Sequence, residues 1–598
     1  MDLRYPHLPC IIVGSSSKPE WIPVEVCKVL PEKGKRNALT GDQTTAILRE
    51  AAVRPTVRVD KILDSLLKKA KLHVDPTAQS FGMQLKVDAT KQPAMLQIEG
   101  RVLPQPMLKY GKENCIDPGN KGDWDIRGLN FSKCASITSF AVVCYVPQER
   151  MAGGPIDTFL ETLRSALTEK GIGVQLKTRP PVVYRSRDTT DAESLHEAVR
   201  KAQQVLGKPP QIIFILQEFF NQAYEEVKRI CDCELGIPSQ VLTDAKLQVT
   251  KADPFKLGSK LKGVALKVNM KLGGRNWSFA SDIGSWCPLL STAGRQGGPA
   301  NIMFLGVDVT HGGPVAGHTK KDAGKTQEQL DEEVKRPDMP SIAAVVASMD
   351  LECMRFATRV MAQKAGDEPV AEMQRAVHEL LTLWKNTNKN LPDVIIMYRD
   401  GISEGQFRPI RDHELKGIKL ACAQFKSASG VLFAPKVTFI TVQKRHQTRL
   451  FPAEDSACDS AVNPRGASGN VRPGLVVDKG ICHLKEFDFY LNSHAGLQGT
   501  NKPAKYSVLT DEIGFTADSL QSMTHFLCHT FCRCTRSVSY APPAYYAHHA
   551  AFRGRCRMKK YDTSDVSSKT SGTSSGGASW TWKFHTIHAA LLDTMYFI

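Results

Sequence analysis

Apolar and polar positions are distributed in three different ways along the chain. Residues 41–52 and 57–72 repeat apolar side chains at helical spacing, whereas 80–89 and 95–103 alternate one for one, as half-buried strands do. From Ser136 the texture changes. Ser139 to Val146 is dominated by apolar residues, the pattern of a strand buried on both faces, and Gln211 to Leu216 repeats it. Helical periods at 155–170 and 191–206 lie between these runs, and another begins near Gln222. Strands and helices alternating in this way predict an α/β domain with a mostly parallel sheet. Leu290 to Ala300, with Gly294, Gly297, Gly298 and Pro299, reads as an interdomain linker.

A second α/β domain is predicted from Asn301. Ile302–Thr310, Ala343–Met349 and Phe356–Met361 read as strands, and Val370, Met373, Val377, Leu380, Leu381 and Trp384 mark one face of a helix. A further strand runs through Val394 to Asp400. Three strands, a helix and a fourth strand is the order of a ribonuclease H-like core. Residues 312–340 and the Ser/Gly-rich 564–579 read as surface insertions.

Composition narrows the class. Of 598 residues, 42% are hydrophobic and 23% charged, which supports several packed domains and excludes a mainly disordered or fibrous chain. No apolar run approaches the roughly 18 residues of a membrane span. The start of the chain has no apolar signal region, so no secretion signal is expected. The 16 cysteines lack framework spacing and read as free thiols in a reducing compartment. Lys plus Arg exceeds Asp plus Glu by 78 − 61 = 17, which points to a polyanionic partner, although a merely basic soluble protein accounts for the charge as well.

Two of the buried-type strands carry an acid. Asp308 lies within Ile302–His311, and Asp400 ends the strand before Gly401. Singly, each is explained as a strand-end capping residue. Together, on neighbouring strands, they would converge where open α/β sheets bind ligands. A nuclease with this core needs several carboxylates to hold two Mg²⁺ ions about 4 Å apart. A second cluster is basic. Tyr224 and Lys228 are four apart, as are Lys267 and Lys271, and so share helix faces. Ala245 to Arg275 holds eight basic residues against Asp253, a net of 8 − 1 = +7. Such a run is either a solvated face or a phosphate site. Cys528, His529, Cys532 and Cys534 have the wrong spacing for a zinc ribbon and read better as part of an apolar helix.

Longer motifs then carry a resemblance: Gly306-Val307-Asp308-Val309-Thr310-His311, Tyr398-Arg399-Asp400-Gly401 through Phe407, Val442-Gln443-Lys444-Arg445-His446, Glu486 through Gly496, Cys534 through Ser539, and Ala544-Tyr545-Tyr546-Ala547-His548. In these the chain resembles a eukaryotic Argonaute of the Argonaute/PIWI family. The resemblance implies a remnant of a PAZ domain at 1–30, a mixed α+β linker domain at 31–135, a Rossmann-like MID domain at 136–275 and a ribonuclease H-like PIWI domain at 276–598. The family's N domain and most of its PAZ domain have no counterpart here.

The resemblance also implies residues. Asp308, Asp400 and His548 match a catalytic Asp-Glu-Asp-His set, and Glu368 falls on the glutamate by ungapped counting from Asp400, with Glu372 one helical turn away. These four would be both catalytic and metal-binding, with Mg²⁺ or Mn²⁺ as cofactor in a two-metal site. Tyr224, Lys228, Gln240, Lys267 and Lys271 match the residues that hold a guide 5′ phosphate, completed by Arg553. The loop Glu218–Ala223 lacks the Gly and Pro of the family loop that reads the first guide base. The implied activity is that of a metal-dependent endoribonuclease in RNA interference: a ribonucleoprotein with a small guide RNA that cleaves complementary target RNA. The alternative is a guide-loaded gene-silencing module that recruits partner proteins and does not cut. Silencing-complex proteins are the further partners implied, no membrane is expected, and the implied location is the cytoplasm, with the nucleus as a second compartment.

Overall fold

The computed structural model describes the chain except for residues 1, 2, 6, 16–17, 28–40, 72–73, 85–94, 120–121, 152, 220–222, 282–283, 285–286, 295–297, 313–338, 427–429, 460–467 and 563–579. The insertion predicted at 312–340 and the Ser/Gly-rich 564–579 therefore lie almost wholly outside the described residues. Residues up to Glu50 form one compact unit and the described residues from Ala51 to Ile598 another. In the first, Cys10–Ser15 and Lys18–Pro23 pair as an antiparallel hairpin.

The second unit contains the predicted parallel sheet. Its strands are β1 (Phe140–Cys144), β2 (Val182–Tyr184), β3 (Ile212–Gln217) and β4 (Ser239–Thr243), in the spatial order β4-β3-β1-β2. All three pairings are parallel. Every residue of β1 and β3 is buried, which is why they carry no alternation. The helix Asp191–Leu206 starts at Thr190 with a reciprocal capping box to Glu193, and Gly207 ends it in the left-handed conformation. Two helices of this region matter below: α1 (Tyr224–Arg229) and α2 (Pro254–Lys271), the latter capped by the Asp253 carboxylate.

Among the described residues the larger sheet has nine strands. Its first five are β5 (Ile302–Thr310), β6 (Ser341–Ser348), β7 (Phe356–Gln363), β8 (Val394–Asp400) and β9 (Lys436–Gln443), in the order β7-β6-β5-β8-β9. β5, β6 and β7 pair antiparallel, and β8 and β9 run parallel to β5. That is the ribonuclease H-like order. One face is covered by α3 (Met373–Asn388) and α4 (Phe407–Cys422), with Val377, Leu380, Leu381 and Trp384 in one core cluster with Met303, Leu305 and Met397. The other face carries α5 (Pro542–Arg555). Gly306 lets this helix sit down on β5: a Cβ there would lie 1.9 Å from the Pro543 carbonyl oxygen.

Three expectations need correction. Of the strand predicted at 80–89, residues 85–89 lie outside the described residues; Ser80 instead ends the short helix Pro76–Ser80, capped by Asp75, and a turn follows at 81–82. The alternating stretch 95–103 contributes only Arg101–Val102, because the ladder it joins, at Leu475–Val476, is equally short. The two ends of Leu290–Ala300 are tied to each other: Leu290 is fully buried, and the Ala300 amide donates to its carbonyl at 2.8 Å. Gly and Pro content marked a turn there, and an apolar Leu turned it into core.

Candidate functional site

The parallel pairing of β5 with β8 aligns Val307 with Arg399, so the next step brings Asp308 beside Asp400. Asp308 is buried, and its Oδ2 lies 2.9 Å from Nδ1 of His548 on α5. That hydrogen bond raises the His548 imidazole above its ordinary value, against the effect of burial. Asp400 accepts the Gly401 amide at 2.7 Å. Burial first, and then the Asp308 charge, push its carboxyl up to about 6. Gly401 sits at φ +89°, and a Cβ there would meet Asp308 Oδ1 at 3.3 Å and Glu368 Oε1 at 3.7 Å. Three carboxylates thus flank one glycine. Lys444, just past β9, lies 4.9 Å above the Tyr540 ring, and the Asp400 charge partly offsets the lowering of its ammonium by burial.

Glu368 comes from the turn between β7 and α3. Gln363 Nε2 staples that turn by donating to the carbonyls of Asp367 at 2.7 Å and Pro369 at 3.0 Å. The fully buried Arg399 donates to the Glu368 carbonyl at 2.8 Å and to its Oε1 at 3.0 Å. His311 Nε2 lies 2.7 Å from the other oxygen, and its Nδ1 lies 2.8 Å from Ser341 Oγ. Arg399 is in turn balanced by the fully buried Glu414 at 3.1 Å. Glu372, the alternative, is half-exposed, precedes α3 and pairs with Arg375.

The basic cluster lies across the junction of the two sheets. Lys228 Nζ donates to the Ser239 carbonyl at 2.9 Å and to Ser239 Oγ at 2.8 Å. Lys271 Nζ donates to the same carbonyl at 2.9 Å and to Gln240 Oε1 at 3.1 Å. Both lysines are buried, and among the described residues neither has a carboxylate within ion-pairing distance. Burial and the Arg553 charge bring the Lys228 ammonium down to about 7. Burial and the Lys228 charge push Lys271 well below its usual range. Lys267 is brought down to about 8, chiefly by burial, with Arg533 adding to it. Arg553 of α5 donates to Asp232 at 2.6 Å, to Tyr224 Oη at 3.2 Å and to the Tyr596 carbonyl at 3.1 Å. The Lys228 ammonium lies 5.5 Å from the Tyr224 ring centroid.

All ten sequence-predicted site residues therefore fall into two groups: Asp308, Glu368, Asp400 and His548 in one, Tyr224, Lys228, Gln240, Lys267, Lys271 and Arg553 in the other. Within the loop Glu218–Ala223, residues 220–222 lie outside the described residues. Sequence reasoning missed Arg399, which holds Glu368, Glu414, which balances Arg399, and Asp232, the buried counter-ion of Arg553. Arg399 had a signal: a cation inside a buried strand requires a partner. Asp232, between two cysteines, had none. Of the cysteine–histidine cluster, His529 stacks on Trp124 and Cys532 packs in an apolar cluster with Tyr546.

A strand order of 3-2-1-4-5 with acids on strands 1 and 4, joined to a parallel domain with a buried basic pocket, defines a class that comparison with known proteins makes specific. The model of the Piwi domain matches residues 211–559, more than half of the chain, and that of the Mid domain of Argonaute matches 118–202. The chain belongs to the Argonaute/Piwi family. Among solved structures, Kluyveromyces polysporus Argonaute with a guide RNA matches at 24% identity and a TM-score of 0.74, over 100% of this chain and 63% of that one. The C-terminal lobe of a budding yeast Argonaute matches at 24% identity and 0.66, over 83% and 95%. Drosophila Piwi matches at 20% identity and 0.65, over 93% and 64%. This chain thus spans less than two thirds of the two longer proteins.

Proposed function

We propose that this chain holds the 5′ phosphate of a small guide RNA between α1, α2 and α5 and cleaves RNA paired to that guide. The observation that carries the guide reading is the set Lys228, Lys271 and Arg553, buried around Ser239 and Gln240 with Asp232 as the carboxylate among them. A phosphate dianion supplies the missing counter-charge through charge-assisted hydrogen bonds. Tyr224 offers a ring for the terminal base. Base pairing selects the target, while basic groups track the backbone.

The cutting site is read from Asp308 and Asp400. Hard carboxylate oxygens suit Mg²⁺ or Mn²⁺, and a carboxyl pushed up to about 6 by burial and then by its neighbour's charge favours a cation beside it. Among the described residues no three potential ligands converge closely enough to hold an ion, the Glu368 carboxylate being engaged by Arg399 and His311. By donor chemistry Asp308, Asp400 and Glu368, the three carboxylates around Gly401, suit such an ion and would be the residues to hold it, with His548 beside Asp308. When bound, such ions promote attack by water and offset charge on the leaving oxygen. Water adds to phosphorus and gives up a proton as the bond to the 3′ oxygen breaks; that oxygen takes a proton to leave as the 3′ hydroxyl, and the phosphate stays as a 5′ phosphate. His548, fixed by Asp308, is the group placed to pass a proton.

The test is a guide programmed with a defined sequence and an end-labelled complementary RNA. Cleavage at one position that moves with the guide's 5′ end supports the reading. Small RNAs that co-purify without any cleavage would favour a silencing module that recruits partner proteins instead. Target cutting that ignores the guide would overturn both.

A further inference from the structure

We propose that Arg555 is a positioning residue of the cutting site, acting through the main-chain carbonyl of His311 on the imidazole that orients Glu368. The inference rests on reading Asp308, Glu368 and Asp400 as the cation-holding set.

Arg555 ends α5, and three side chains of that helix diverge. His548 meets Asp308, Arg553 meets Asp232 and Tyr224, and Arg555 Nη2 donates to the His311 carbonyl. Arg555 Nε is shielded from solvent and has no hydrogen-bond partner among the described residues. No ion pair joins Arg555 to a carboxylate among those residues either. The guanidinium is therefore committed to a main-chain oxygen, an unusual use of a charge that elsewhere on this helix is matched by Asp232.

His311 needs such a tether. It follows the last residue of β5, and the β5–β6 ladder ends with Thr310 opposite Ile342. The sheet thus stops one residue short of it. Yet both imidazole nitrogens are in use, one toward Ser341 and one toward Glu368. An imidazole can aim a carboxylate only if its own backbone is fixed. Arg399 holds the Glu368 main chain and one carboxylate oxygen; the other oxygen depends on His311. Arg555 links that second hold to α5, the helix that also supplies His548.

Arg555→Gln and Arg555→Lys test the assignment in the full chain loaded with a 5′-phosphorylated guide. Mn²⁺ is the probe. Its binding is read directly from the electron paramagnetic resonance of the free ion, and separately as the Mn²⁺ dependence of target cleavage. Outer partners of metal ligands typically change affinity 10–100-fold, so Arg555→Gln is expected to raise both half-saturation concentrations about tenfold, with Arg555→Lys recovering part of the loss. His311→Ala should cost about as much, and adding Arg555→Gln to it should cost little more, because the two act in series. Guide affinity should stay within about twofold, since the contacts of Arg553 are separate.

Wild-type Mn²⁺ behaviour in Arg555→Gln, with Asp308→Ala losing the ion, would overturn the role of Arg555 alone. So would multiplying effects in the double variant, or a parallel fall in guide affinity. A wild-type chain that bound no Mn²⁺ would overturn the reading of the site itself, and the role of Arg555 with it.

Discussion

The two functional regions meet on one helix and carry opposite electrostatic imbalances. Around His548, Asp308 and Asp400 sit side by side, and burial and repulsion push Asp400 up to about 6. Around Arg553, two buried lysines share one carbonyl, and burial and repulsion bring Lys228 down to about 7. Each region relieves its excess by moving a group toward neutrality. Each imbalance suits one kind of ligand, which is the ground for proposing a cation in the first and a phosphate in the second. The supporting chemistry differs as well. The acidic region keeps its third carboxylate in an assembled network of Arg399, Glu414 and His311, whereas the basic region aims its lysines at neutral oxygens that an anion can outcompete.

The comparison is broken most severely by removing a carboxylate. Asp308→Ala or Asp400→Ala should reduce cleavage of a paired target by about a thousandfold or more, because no other buried acid can take over its share of the ion. Guide affinity, measured by filter binding on the same preparations, should be unaffected. Cutting at wild-type rate by either variant would remove these residues from the site. At the basic end, Lys228→Ala with Lys271→Ala should weaken binding of a 5′-phosphorylated guide by more than about a hundredfold, at roughly 1.5–3 kcal/mol per charge-assisted bond. A 5′-hydroxyl guide serves as the control for folding. Equal losses with both guides would make the lysines structural.

The two imbalances also predict opposite pH limbs. Asp400 must be ionised to hold a cation, so cleavage should fall about tenfold per pH unit below about pH 6, less steeply when Mg²⁺ is raised to compete with the proton. Lys228 is largely neutral above about pH 7 in the free protein and must be charged to hold phosphate. The preference for a 5′-phosphorylated guide should therefore decline as pH rises above 7, by up to about tenfold per unit, with a proton taken up on binding. Titrations of the phosphorylated and hydroxyl guides across pH 6–9, beside single-turnover rates across pH 5–8, would show whether both limbs exist. A preference unchanged from pH 7 to 9 would mean that the phosphate is held by Arg553 alone.

Much of this was legible in the chain before the structure. Buried strands announced themselves as apolar runs, and each of them carries a strand of one of the two large sheets. Asp308 and Asp400 were visible because an acid interrupting such a run is costly to bury. Parallel pairing of β5 with β8 was inferable only from element order, yet it is what makes the two acids neighbours. The partners were less legible. Glu414 lies 15 residues from Arg399, and Asp232 lies 321 from Arg553, so neither pair leaves a local pattern. The stretch 95–103 misled because alternation reports a half-buried face, whereas the length of a strand depends on how much partner edge is free to pair.

The smallest expected effect bears on the choice between two glutamates. Glu368 and Glu372 are one helical turn apart in sequence, and both precede α3. Their surroundings separate them. Glu368 is largely buried, lies within reach of Gly401 and is gripped by Arg399 and His311. Glu372 is half-exposed and paired with Arg375 at i+3, an arrangement that contributes at most about 0.5 kcal/mol at a helix surface. Glu368→Gln keeps the shape but removes the charge that Arg399 and a bound cation both use, and it should slow cleavage about a hundredfold or more. Glu372→Gln should change the rate by less than about twofold, because a surface pair of this kind has almost no influence on a group a turn away. The two variants compared at saturating Mg²⁺, and again at a concentration near half-saturation, would separate loss of the ion from loss of rate. A Glu372→Gln rate as low as that of Glu368→Gln would mean that the turn between β7 and α3 rearranges when guide and target bind, bringing Glu372 inward in place of the residue that Arg399 now holds.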